Sequence, residues 1–198
     1  MFEETAAPRA AAAQIQWTPD EAIVVLVELQ PEIMAGSRTN PETALRQAVS
    51  MLVEGTGALG IPIVRSVISL APGVVPTVIE ELRGEPPIVR STVGVFDHAE
   101  SRRAIDAHGR PVIAIGGISS EIAVLHAVLG ARRSGHAVHV LVDACGGFSK
   151  RTEQAALRQM EAAGATLSSV ASFLTSMTPS LDDPRAKAVF GSLARLWT

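Results

Sequence analysis

Short runs of apolar, β-branched residues recur along this chain and alternate with helix-forming stretches. "AIVVLVELQ" (22–30) is continuously apolar over its first residues, the pattern of a strand buried on both faces. "IPIVRSVIS" (61–69), "PPIVRS" (86–91), "PVIAIGGI" (111–118) and "HAVHVLVDA" (136–144) repeat it, and "ATLSSVASFL" (165–174) holds a sixth. Strand–helix alternation of this kind predicts an α/β fold: a Rossmann-like three-layer α-β-α sandwich around a six-stranded, mainly parallel sheet.

The intervening stretches carry helix punctuation. Asn40 is placed to cap a helix with Pro41 at its first position and glycines at its end. A short helix is expected near "TVIEEL" (77–82), and Asp97 and Gly109 bracket the next one. "SSEIAVLHAVLGARRSG" (119–135) and "SKRTEQAALRQMEAAG" (149–164) follow, and "DDPRAKAVFGSLARLW" (182–197) is a terminal helix. One domain over residues 17–198 is expected, preceded by a flexible arm over 1–16.

Composition removes several functional classes. A net charge of −3 offers no basic surface for nucleic acid or anionic membranes. No stretch approaches the about 18 apolar residues that span a bilayer. The single cysteine, Cys145, permits no internal disulfide and fits a reducing, cytoplasmic setting. His136 and His139, three apart on a strand, face opposite sides and do not chelate one ion, so neither a metal nor a cofactor is expected.

In parallel sheets ligands bind beyond the carboxyl ends of the strands. Glu28 interrupts the first strand near that end, and Arg65 and Arg90 hold similar places on strands two and three. One carboxylate and two guanidinium groups are therefore expected in one crevice. The packing alternative is a buried Glu28–Arg90 ion pair without a function. The turn "GISSEIA" points a helix N-terminus at the same crevice, where Ser119 or Ser120 caps it. Ala123, Ala127, Gly130 and Ala131 form a small-residue stripe that lets this helix approach the sheet closely.

The pieces "VVLVELQ", "GIPIVRS", "PPIVRSTVGVF", "IAIGGISSEIAV" and "HVLVDACGGF" resemble the isochorismatase-like hydrolases in order and spacing. The likeness runs from about Ala22 to the terminal helix and is strongest to the small octameric hydrolases of unknown substrate. In the amidohydrolase branch the resemblance implies an Asp-Lys-Cys triad. Its positions fall here on Glu28, on Arg90 (six residues before the aromatic Phe96), and on Ala123. The resemblance also implies a cis peptide between Ser119 and Ser120. All three triad positions differ. Ala in place of Cys removes the nucleophile, and covalent thioester chemistry at position 123 is excluded. Cys145, small and set among glycines, reads as a packing residue rather than a substitute.

Two readings follow. One is a non-hydrolytic homologue, structural or binding a small anion through Glu28, Gln30, Arg65, Arg90, Phe96, Ser119 and Ser120. The other is a thiol-independent hydrolase in which Glu28 is the general acid, as in cleavage of a vinyl ether, with the arginines clamping a substrate carboxylate. Two flanking cations would lower the pKa of Glu28 and weaken that role. Hydrolysis of a small amide is a third reading. The family likeness implies a homo-oligomer, a dimer or higher and up to an octamer. Phe190, Leu193, Leu196 and Trp197 of the terminal helix are candidates for its interface.

Overall fold

A computed structural model describes residues 17–178 and 180–194. Six strands, β1 (Ala22–Val27), β2 (Ile63–Ile68), β3 (Ile88–Arg90), β4 (Val112–Ile118), β5 (Ala137–Gly146) and β6 (Thr166–Ser168), form one sheet in the order β3-β2-β1-β4-β5-β6. Every pairing is parallel, so the sheet is wholly parallel. The chain builds outward from β1 to β3, returns to the centre, and builds the other half from β4. The strand order therefore reverses between β1 and β4, where a crevice opens at the carboxyl ends.

β1 is central, and all six of its residues are buried. Ala22, Val24 and Leu26 pack into a layer with Leu45 and Leu52 of α2 (Glu42–Leu59), Phe173 of α6 (Val170–Ser176) and Val189 of α7 (Ala186–Leu193). Ile23, Val25 and Val27 face the other layer. It contains Ile105 of α3 (Ala99–Asp106), Val128 of α4 (Leu125–Arg133) and Met160 of α5 (Lys150–Ala162). Each such aliphatic side chain contributes about 1.5–3 kcal/mol on burial, which is why a run apolar on both faces takes the middle of the sheet. His136 and His139 do face opposite layers: one ring lies against Phe96 and the other against Phe173.

Several boundaries differ from the sequence expectation. α2 begins at Glu42 with Pro41 as its cap. Asn40 instead donates its amide to the carbonyl oxygens of Val142 (3.1 Å) and Cys145 (2.7 Å), tying the loop before α2 to β5. His98, not Asp97, caps α3, its ring nitrogen accepting from the Ser101 amide. The stretch 77–82 closes only one 3-10 turn, Glu80–Leu82. Within 165–174 the strand is three residues long, and α6 takes over from Val170 because Ser169 caps it and the Asp143 carboxylate accepts from the Val170 amide. In α7, Leu193 is buried against its own domain and Phe190 is partly exposed, so the helix docks on α2. Leu196, Trp197 and the arm over 1–16 lie outside the described residues.

Candidate functional site

β1 ends at Val27, and the next residue, Glu28, turns out of the sheet with φ 54°. It is the only non-glycine residue with positive φ among those described. Such a conformation is costly for a side-chain-bearing residue and is held here by its surroundings. The Glu28 amide donates to the Ser66 carbonyl (2.8 Å), continuing the β1–β2 ladder for one more step. Two residues on, the Gln30 side chain imitates a strand: its Nε2 donates to the Ile68 carbonyl and its Oε1 accepts from the Ile68 amide, both at 3.0 Å. Gln30 is thus a staple between strand ends, and it is fully buried.

Arg90 closes β3, two strands from β1, and its long side chain crosses the end of β2 to reach Glu28. Its Nη2 donates to Glu28 Oε1 and to the Val93 carbonyl (3.1 Å). The pair is asymmetric in exposure. The Arg90 side chain is 0% exposed, with Nε and Nη1 shielded and without a protein partner among the described residues, while Glu28 keeps 12%. Burial raises the pKa of the Glu28 carboxyl above its ordinary value, outweighing the opposing pull of Arg90. The depression expected from two flanking cations is absent: burial is the larger effect, and of the two arginines only Arg90 reaches the carboxyl.

On the other side of the crevice, the built Cβ of an alanine at Gly117 would collide with the Val27 carbonyl, so only glycine lets β4 close on β1 here (φ 143°). The cis peptide follows at Ile118–Ser119, one bond earlier than expected. A π-helical turn, Ser120–Val124, then leads into α4. Ser119 faces the crevice, whereas the Ser120 hydroxyl donates to Glu153 (2.7 Å) on α5. Ala123 is fully buried in the apolar layer behind the turn. The small-residue stripe packs as expected, with Gly130 against Phe96: a Cβ there would sit 2.7 Å from that side chain.

These elements enclose a cavity of about 460 Å³. Its polar lining is Glu28, Ser69, Arg90, Ser91, Thr92 and Ser119; its apolar lining is Ile33, Ile68, Leu70, Val93, Ile122 and Phe148. Of the expected residues, Glu28, Arg90 and Ser119 come together. Gln30, Ser120, Phe96 and Ala123 stand behind the wall. Arg65 does not join them. It lies in the middle of β2, opposite Leu26, and its side chain enters a separate cavity beside α2. The residues missed, such as Ile68, Thr92 and Phe148, directly end or follow strands. The strand-end rule applied to every strand, and not only to charged residues, picks them out.

Cys145 lies on β5 next to Gly117, fully buried, and burial pushes its thiol up to about 12. It is not an activated nucleophile. No group of three or more His, Cys, Asp or Glu able to hold a metal occurs among the described residues, nor does a helix long and apolar enough to cross a membrane.

Comparison with known proteins accords with this geometry. The isochorismatase domain model matches residues 22–172. Among solved structures, the YcaC gene product of Escherichia coli, described as an octameric hydrolase of unknown specificity, superposes with a TM-score of 0.85 at 21% identity, covering 94% of each chain. YcaC from Pseudomonas aeruginosa, solved with hexane-2,5-diol and covalent acrylamide, gives 0.82 at 21% identity over 94% of this chain and 96% of that one. MAR1 ribonuclease from Caenorhabditis elegans gives 0.78 at 20% identity over 90% and 92%. No match was found among curated proteins. At these identities the structural likeness speaks to fold. The family-model match spans most of the chain, and the chain belongs to the isochorismatase family.

Proposed function

We propose that this member of the isochorismatase family keeps a ligand pocket but not cysteine-hydrolase chemistry, and that the pocket takes a small, uncharged molecule with an apolar body and a hydrogen-bond donor. One observation carries the reading: the only guanidinium at the pocket among the described residues is wholly shielded and committed to Glu28, so the reachable charged group is a carboxyl. A carboxylate ligand, expected when two arginines were placed here, would meet Glu28 without a free cation to hold it. An amide or alcohol would instead donate to Glu28 while Ser119 and Thr92 offer further polar contacts above apolar walls. With Ala123 at the triad position and the Cys145 thiol buried, no thiolate is available for covalent catalysis.

A second reading has its own support. Burial holds the Glu28 carboxyl above its ordinary range, which favours a general acid acting on an uncharged substrate. One experiment addresses both readings. Small amides, alcohols and vinyl ethers, isochorismate included, are screened by ligand-observed NMR on wild type and Glu28→Gln. Binding of neutral compounds without consumption is expected. Consumption lost in Glu28→Gln would move the conclusion to acid catalysis, and binding of carboxylates in preference to amides would overturn the ligand class.

We also propose a homo-oligomer, a dimer or higher and up to an octamer, located in the cytoplasm. Leu70, Val93, Ile122 and Phe148 are each about half exposed around the pocket mouth, an apolar rim that supports contact between copies. Light scattering on a gel-filtered sample tests this, and a monomer would refute it.

A further inference from the structure

We propose that the cavity around Arg65 is a second ligand site, distinct from the Glu28 pocket, and that it takes a small carboxylate with an apolar body. The cavity measures about 500 Å³ and lies beside the β3 edge of the sheet, between the last turns of α2 and the loop that precedes β3. Val53, Ile61, Ile63 and Ile88 give it an apolar wall, and Thr56, Glu85 and His108 add polar lining. Among the described residues, Arg65 supplies its one guanidinium.

That guanidinium is under-neutralised. Its side chain is 14% exposed, and its Nε is shielded with no protein partner among the described residues. Nη1 makes two contacts, to the Ile63 carbonyl and to Glu85, each 3.5 Å long and at the outer limit of a hydrogen bond. Glu85 is 84% exposed, so solvent screens it. Arg46, in the adjoining groove, shows the contrast: two carboxylates, Glu42 and Glu81, each hold it at 2.8 Å. A guanidinium does not shed its charge, so Arg65 presents a permanent cation to a hollow with one apolar wall. A carboxylate pairs with Nη2, which is not shielded as Nε is, and an apolar body lies against the apolar wall. The Thr56 hydroxyl is already spent on the Leu52 carbonyl (2.6 Å) and adds no competing donor.

The helix side of the cavity supplies a way to close it. Gly57 lies on α2 with ordinary helical backbone, and a Cβ there meets nothing within 4 Å. Gly57 is exposed on the cavity lining, so Gly57→Leu adds bulk at the cavity mouth without backbone strain.

The test is titration of the full chain with benzoate, followed by NMR or calorimetry, with benzamide as the uncharged match. Saturable benzoate binding by wild type is expected. Losses of about tenfold or more are expected in Arg65→Met, the range for a charge-assisted contact. Gly57→Leu should lose binding by exclusion, which keeps the proposal testable if Arg65→Met fails to fold. The NMR signals that benzoate moves should belong to Val53, Ile61 and Ile88 and not to Ile68 or Phe148, which separates this site from the first pocket. Benzamide moving the NMR signals of the Arg65 cavity as strongly as benzoate does, unchanged benzoate binding in both cavity variants, or no binding at millimolar benzoate would each overturn the proposal. A fall in oligomer size on Arg65→Met would also overturn it, assigning the cavity to a second copy of the chain.

Discussion

Two Glu–Arg pairs flank β2, and they solve the same electrostatic problem in opposite ways. Glu28–Arg90 is buried: the arginine is sealed, its nitrogens face protein, and only the carboxyl reaches a cavity. Arg65–Glu85 is open: the arginine faces a cavity, and its carboxylate partner hangs in solvent at 3.5 Å. Counting charges along the strands makes the two regions look alike. What differs is which partner a ligand can touch. In the first pair only the acid is reachable; in the second both partners line the cavity, the guanidinium included.

The comparison breaks most easily at Arg90. Arg90→Met leaves a carboxyl buried without its partner, and a loss of about 3–5 kcal/mol in urea denaturation is expected. A loss well under 1 kcal/mol would mean the pair is not sealed. Glu28→Gln is expected to cost about 1 kcal/mol or less, because a neutral oxygen still accepts from Arg90. Its pH dependence sharpens the point. Burial raises the Glu28 pKa above 4.5, so the fold favours the protonated form. The wild-type margin over Glu28→Gln should therefore be largest below pH 4.5 and shrink as pH rises through the raised value. A margin that grows with pH would show that Arg90 dominates. For the open pair, Arg65→Met should shift stability by only about 0.5 kcal/mol, measured the same way, since an exposed partner adds little. The smallest expected effect is none: iodoacetamide at pH 8 should leave Cys145 unmodified in the folded protein and alkylate it after denaturation, because its thiol is pushed up to about 12. Rapid labelling of the native chain would mean that β5 opens.

Much of this was legible beforehand. Continuous apolar runs announced strands buried on both faces, and a carboxylate interrupting such a run marked Glu28. Its contact with Arg90 was legible as a packing alternative. Arg65 stands apart because β2 stops at Ile68, short of Ser69, and the sheet register places Arg65 opposite Leu26, three residues before that end. The face of a strand from which a side chain leaves depends on register, which a single chain does not print. Asn40 and Asp97 were natural caps by residue type. Tertiary partners won at Asn40, which two β5 carbonyls engage, and a neighbouring ring nitrogen won at the start of α3. The raised pKa of Glu28 was not legible for a related reason: it depends on how deeply the carboxyl is buried and on how many cations reach it, and both follow from the register.

The left-handed backbone at Glu28 also sets how this site can drift. Asparagine, aspartate and glycine tolerate that conformation best, and β-branched residues tolerate it least. Of the tolerated three, only aspartate retains an acid. A lineage that keeps a carboxyl here can thus choose between two lengths that differ by one methylene, and any larger retuning must come from the residue opposite, on β3. The position works as a ruler with two marks, and the partner strand is where selection has room to move.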